Sequence, residues 1–117
     1  GSAEPTQEAK EILKLITDSV KEEPITIEIE GHSDATPYKG NNLNNWELSV
    51  LRASSAFKYM VEVGLPVEKV TKITGYSDTK PLIKENPFDP RNRRISLYIE
   101  VAEEHLTSSE NATKTIK

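Results

Sequence analysis

The sequence predicts an α/β (α+β) sandwich, with helices packed on one face of a small mixed sheet. Three observations lead there. Apolar residues recur with helical period over residues 6–20 and 44–63. They alternate with polar residues over 25–30 and 95–101. The elements run helix, strand, helix, strand, loop, strand. A helix joins the first two strands, so these should be parallel with a right-handed crossover.

Residues 1–5 read as a cloning scar (Gly1-Ser2) and a linker, ahead of a domain over 6–102. From Thr6, the residues Ala9, Ile12, Leu13, Ile16 and Val20 form a helical stripe that Pro24 closes. Ile25, Ile27 and Ile29 alternate with Thr26, Glu28 and Glu30, the pattern of a half-buried strand. That strand runs into Gly31-His32-Ser33-Asp34. Residues 37–45 hold a proline, a glycine and four asparagines, which is loop chemistry.

Asn44 followed by Glu47 resembles a capping box opening a second helix. Trp46, Val50, Ala53, Phe57, Met60 and Val61 share one helical stripe, and Trp46 reads as a core or helix-entry anchor. Gly64 and Pro66 end this helix. Val70–Tyr76 reads as a second strand, and residues 77–94 as a loop with one helical turn. Ile95, Leu97, Ile99 and Val101 alternate with polar residues in a third strand. Residues 103–117 are polar and aperiodic and are expected to form an unstructured tail, with a chance glycosylation sequon at Asn111.

A chain of 117 residues supports one domain with one modest core. A net charge of -4 argues against nucleic acid, which calls for a dominant basic surface. There is no cysteine, hence no disulfide and no thiolate chemistry. No apolar run approaches the roughly 20 residues of a membrane-spanning helix.

The chemistry-bearing residues are few. Asp34 lies just past a strand end, where ligand groups gather. Asn45 and Arg52 are seven positions apart, so they return to within about 20° of each other on the second helix. Ser49 and Ala56 lie near the same line, and small side chains leave room for a ligand. The helix N-terminus favours an anion. An Asp facing an Arg across a cleft can hold the ammonium and the carboxylate of one zwitterion. Each charge-assisted hydrogen bond shielded from water is worth about 1.5–3 kcal/mol.

The simpler alternative is a plain Asp34–Arg52 salt bridge. Asn92-Arg93-Arg94 is either a charged strand entry or the source of a second guanidinium. Ser33 and Ser49 have no His/Asp relay, and His32 has only His105 as company, so neither catalysis nor a metal or cofactor site is expected. Glu28 and Glu30 alternate with buried isoleucines and should face solvent.

These residues resemble the OmpA-like peptidoglycan-binding domain family. Gly31-His32-Ser33-Asp34 is similar to its Gly-His-Thr/Ser-Asp. Asn45, Leu48, Ser49, Arg52 and Ala53 are similar to its Asn-x-x-Leu-Ser-x-x-Arg-Ala, and Asn92-Arg93-Arg94 before a strand to its closing Asn-Arg-Arg. Gly75 occupies the glycine that commonly ends a family strand. The resemblance spans roughly residues 8–101 and implies an OmpA-like βαβαβ-type fold without enzymatic activity. It implies that Asp34 and Arg52 hold the diaminopimelate of a peptidoglycan stem peptide, with help from Asn45 and Arg93. Ser33, Thr36, Leu48 and Ala53 complete the candidate ligand-binding set.

Trp46-Glu47 within Asn-Trp-Glu-Leu-Ser, together with the long 35–44 insertion, looks like the periplasmic part of flagellar motor stator B subunits. That likeness implies a homodimer, a preceding transmembrane helix in the inner membrane that pairs with the stator A subunit, and a cell-wall anchoring role. Type VI secretion anchors share the motif and are the alternative, as is a dimerisation module that has lost wall binding. One departure stands out: the family opens with a strand before its first helix, and here that strand is missing. An open sheet edge is the expected consequence.

Overall fold

The computed structural model describes residues 3–40 and 43–101, and the backbone of 112–116. Helix α1 spans Gln7–Val20, strand β1 Ile25–His32, helix α2 Asn44–Glu62, strand β2 Val70–Gly75, strand β3 Arg94–Val101 and strand β4 Ala112–Ile116. Short 3-10 turns at Val67–Lys69 and Pro90–Asn92 lead into β2 and β3. The sheet order is β2-β1-β3-β4. β1 runs parallel to β2 and antiparallel to β3, in the mixed arrangement expected.

Thr6 caps α1, its hydroxyl accepting from the Ala9 N–H at 3.1 Å. Ala9 and Leu13 face inward from this helix. Ile25, Ile27 and Ile29 of β1, Ile95 and Leu97 of β3, and Ala53, Ala56 and Met60 of α2 complete one core. Glu28 and Glu30 lie on the opposite sheet face, as period-2 alternation requires, but they do not face solvent fully as expected: both are half-buried, and the Glu30 side chain is only 13% exposed.

Three further expectations need correction. First, the expected Asn44–Glu47 capping box does not form: the N-cap position is Leu43, in helical conformation, and it makes no side-chain capping hydrogen bond. Second, the buried stripe of α2 is Asn45, Leu48, Ser49, Arg52, Ala53, Ala56 and Met60, while Trp46 and Val50 are 46% and 45% exposed. Trp46 is therefore no core anchor.

The cause lies in the strands beneath. A Cβ on Gly31 would stand 1.8 Å from the Ser49 carbonyl oxygen, and one on Gly75 would stand 2.5 Å from Ser49 Oγ. The two glycines let α2 sink onto the sheet, with Ser49, Val50 and Ala53 at the closest approach. Hydrophobic periodicity recognises the helix, but backbone contact selects its inner face.

Third, residues 112–116 are a strand rather than part of a tail. β4 pairs antiparallel with β3, from Ile95↔Ile116 to Ile99↔Ala112. Thr113, Thr115 and Ile116 are β-branched and suited to a strand, and the outer backbone groups of β3 are the partner that local polarity cannot reveal. The β3 edge is thus covered, and β2 is the outermost strand on the other side. The rest of the expected tail, with Asn111 and His105, lies outside the described residues.

Candidate functional site

β1 and β2 end side by side, and α2 begins above them. Short bonds tie these three ends together. Tyr76 N–H donates to Gly31 O (3.0 Å), and Ser33 N–H donates to Ser77 O (2.8 Å). Ser77 N–H donates to Ser49 Oγ at 2.9 Å, and that hydroxyl donates to Trp46 O at 2.9 Å. Ser49 therefore cross-links the elements; it does not leave space for a ligand, as its small size suggested.

Asp34 follows directly and is 4% exposed. Its Oδ1 accepts from Thr36 N–H at 2.9 Å, leaving Oδ2 turned toward Arg93, whose Nη1 is 3.5 Å away. Arg52 is 8% exposed and donates from Nη1 to His32 O at 3.1 Å. Burial, and then the neighbouring Arg93 charge, pull the Arg52 pKa below its ordinary value, while Asp34 opposes them.

Asn92 delivers Arg93. It is fully buried, accepts from Ile83 N–H (2.7 Å), and directs its amide N–H groups at the carbonyls of Ile83, Asn86 and Pro87 (3.3, 3.0 and 3.3 Å). Pro87 O in turn accepts from Ala35 N–H at 2.9 Å, so the loop before β3 is stitched to the loop after β1. Arg94 turns elsewhere, donating to Lys80 O at 2.9 Å.

The result is a cavity of about 270 Å³ with Ser33, Asp34, Thr36, Leu48, Arg52 and Arg93 in its wall. Six of the eight residues singled out in the sequence gather here. The other two do not. Ala53 is fully buried beneath α2 against Gly31. Asn45 is 1% exposed and commits its amide to the loop, accepting from Tyr38 N–H and donating to Thr36 O, both at 3.1 Å. Its place is to hold the wall of the cavity.

Tyr38 and Lys39 also line the cavity and were not anticipated. The left-handed turn at Lys39-Gly40 (φ 52° and 74°) brings them there, and the Lys-Gly pair is the signal that could have pointed to it. The cavity thus sets two guanidiniums and a lysine against one carboxylate, so an anionic group is favoured beside Arg52 and a cationic one beside Asp34. The Ser33 hydroxyl, on a residue only 2% exposed, has no hydrogen-bond partner among the described residues.

The OmpA family model matches residues 1–95. The chain belongs to the OmpA family. Its relatives include Motility protein B of Escherichia coli K12, 35% identical over 101 residues, covering 85% of this chain and 33% of that protein. The chain therefore spans about a third of that relative's length.

Among solved structures, the C-terminal domain of Helicobacter pylori MotB superposes with a TM-score of 0.71 at 19% identity, covering 93% of this chain and 81% of that one. The cell wall anchor of the type VI secretion system from Pseudomonas aeruginosa superposes with a TM-score of 0.65 at 26% identity, covering 88% and 74%. This OmpA-family domain thus shares its helix-on-sheet fold with both.

Proposed function

We propose that this OmpA-family domain binds peptidoglycan without catalysis and, as part of a longer periplasmic protein anchored in the inner membrane, fastens a flagellar motor stator to the cell wall. The observation that carries the reading is the shared cavity. It offers a buried carboxylate, a buried guanidinium and an unpartnered buried hydroxyl to one small ligand. A diamino acid such as diaminopimelate presents an ammonium and a carboxylate on one carbon, which complements Asp34 and Arg52. Arg93, more exposed and 3.5 Å from Asp34 Oδ2, adds a second guanidinium to the wall of the cavity. The 35% identity to Motility protein B supports the stator assignment. Homodimerisation and pairing with a stator A subunit through a preceding membrane helix belong to the same reading.

Cosedimentation with purified sacculi tests the wall-binding part. Wild-type domain should pellet with the sacculi, and Asp34→Ala and Arg52→Ala should each lower the bound fraction by about tenfold or more, the equivalent of one lost charge-assisted hydrogen bond. If variants that keep their circular dichroism spectrum still pellet like wild type, the site is wrongly assigned. The second reading, a wall anchor of a type VI secretion apparatus, is favoured by the 26% identity to the Pseudomonas aeruginosa anchor and uses the same cavity. A swap of this domain into a motility-deficient stator B strain separates the two.

A further inference from the structure

We propose that Lys39 reads a second carboxylate on the gripped diamino acid, so that the cavity prefers a stem peptide ending at that residue over one that continues past it; this rests on the peptidoglycan reading above. The starting point is a surplus of positive charge. Arg52, Arg93 and Lys39 line the cavity, and Asp34 is the one carboxylate among its described lining residues. A head group with one ammonium and one carboxylate is neutral and leaves that surplus in place. A ligand with a further carboxylate reduces it.

Placement singles out Lys39 for that carboxylate. Arg93 Nη1 lies 3.5 Å from Asp34 Oδ2, and Arg52 is buried and bonded to His32 O, so both guanidiniums are placed at the end of β1. Lys39 stands apart on the exposed loop between β1 and α2, in a left-handed turn with Gly40 (φ 52° and 74°). The base of that loop is held: Asn45 accepts from Tyr38 N–H and donates to Thr36 O, both at 3.1 Å. Lys39 Nζ lies 5.4 Å from the centroid of the Tyr38 ring and makes no ion pair among the described residues. A cation–π contact at an exposed site is weak, and an ammonium on a flexible stem exchanges it readily for a carboxylate.

The chemistry of the ligand says which carboxylate this is. Diaminopimelate carries two amino-acid head groups, one at each end of its chain. With one held by Asp34 and Arg52, the other lies toward the rim. In a stem that ends at the diamino acid, the carboxyl of that second head group is free and charged. In a stem that continues, the same carboxyl is a neutral amide and cannot pair with Lys39. The cavity measures about 270 Å³, near the lower limit usual for a ligand site, which suits a single residue and favours an end over a chain passing through. Free ends of this kind arise by hydrolysis of the peptide bond after the diamino acid, so the domain favours wall that a peptidase has trimmed.

Isothermal titration at low salt with two probes of equal net charge tests the proposal: the tripeptide L-Ala-γ-D-Glu-meso-diaminopimelate, and the tetrapeptide that extends it by D-Ala. Wild-type domain should bind the tripeptide more tightly by about threefold or more, the scale of one exposed ion pair. Added salt should shrink that difference. Lys39→Gln should bring the ratio of the two affinities close to one, and Lys39→Arg should keep it. Lys72→Gln removes the same charge from the opposite face of the sheet, where Lys72 is in register with Glu28, and should also keep it. A folded Lys39→Gln variant with the wild-type ratio overturns the proposal. So does a wild-type domain that binds both probes equally. Loss of the ratio in Lys72→Gln overturns it as well, because overall charge would then be the cause. Failure of wild type to bind either probe overturns the peptidoglycan reading, and the role of Lys39 with it.

Discussion

His32 shows how a single residue can serve two faces of a sheet. Its backbone carbonyl holds Arg52 on the cavity side, while its ring lies on the other side, stacked on Tyr76 at 5.3 Å between centroids. The ring is 2% exposed, and neither nitrogen has a hydrogen-bond partner among the described residues. Burial, reinforced by the charges of Arg94 and Lys80, lowers its pKa to about 4. Glu30 Oε1 lies 3.4 Å from Nε2, but its own carboxyl is pushed upward by burial and does not offset the desolvation of an imidazolium.

The folded domain therefore refuses a proton that the unfolded chain accepts near pH 6.5. Stability is complete above that value and falls as the pH drops from 6.5 toward 4. The loss reaches about 3 kcal/mol from this group, following the displacement of its pKa. Urea unfolding between pH 7 and 4 should show that slope, and His32→Phe, which keeps the stack, should flatten it. An identical slope in the two proteins would remove His32 as its source.

At the scale of elements, the docking of α2 decides whether the site exists. Arg52 reaches His32 O only because the helix lies low on the sheet, and it lies low because Gly31 and Gly75 have no side chains. Gly31→Ala places a methyl 1.8 Å from the Ser49 carbonyl oxygen, a backbone atom that cannot rotate away. The helix must lift or the strand must shift. Overpacking of this kind costs roughly 1–3 kcal/mol, and rigid backbone on both sides puts this case at the upper end. Chemical denaturation should show that loss, with weakened sacculus binding even where the domain remains folded. A change below about 0.5 kcal/mol, the level of neutral surface substitutions, would mean that α2 is not seated as described.

The whole molecule must also manage its sheet edges. β4 covers the outer side of β3 and leaves β2 as the opposite margin, where Lys72 places an exposed charge. Removal of residues 103–117 would bare the β3 backbone from Ile95 to Ile99. The truncated domain should melt lower, by about 4–8 °C for each kcal/mol lost. It should also self-associate with rising concentration in light scattering, because an exposed edge templates another strand. A truncated domain whose association state and melting temperature match those of the full domain would show that β4 contributes nothing to the fold.

Much of this architecture was legible in the chain itself. The alternation of Ile25, Ile27 and Ile29, the helical stripes, and the order of elements are local properties, and local sterics and burial are enough to impose them. The three motifs at strand and helix ends likewise named Ser33, Asp34, Leu48, Arg52 and Arg93, which line one cavity, but not Tyr38 or Lys39. Which side chains of α2 face inward was a different matter, because it depends on two glycines in strands distant in sequence. The separation of Arg93, near Asp34, from Arg94, bonded to Lys80 O, needed the strand register. The strand at 112–116 needed the bare edge of β3. In each case the deciding contact joins segments far apart along the chain, and periodicity within one segment carries no information about its partner.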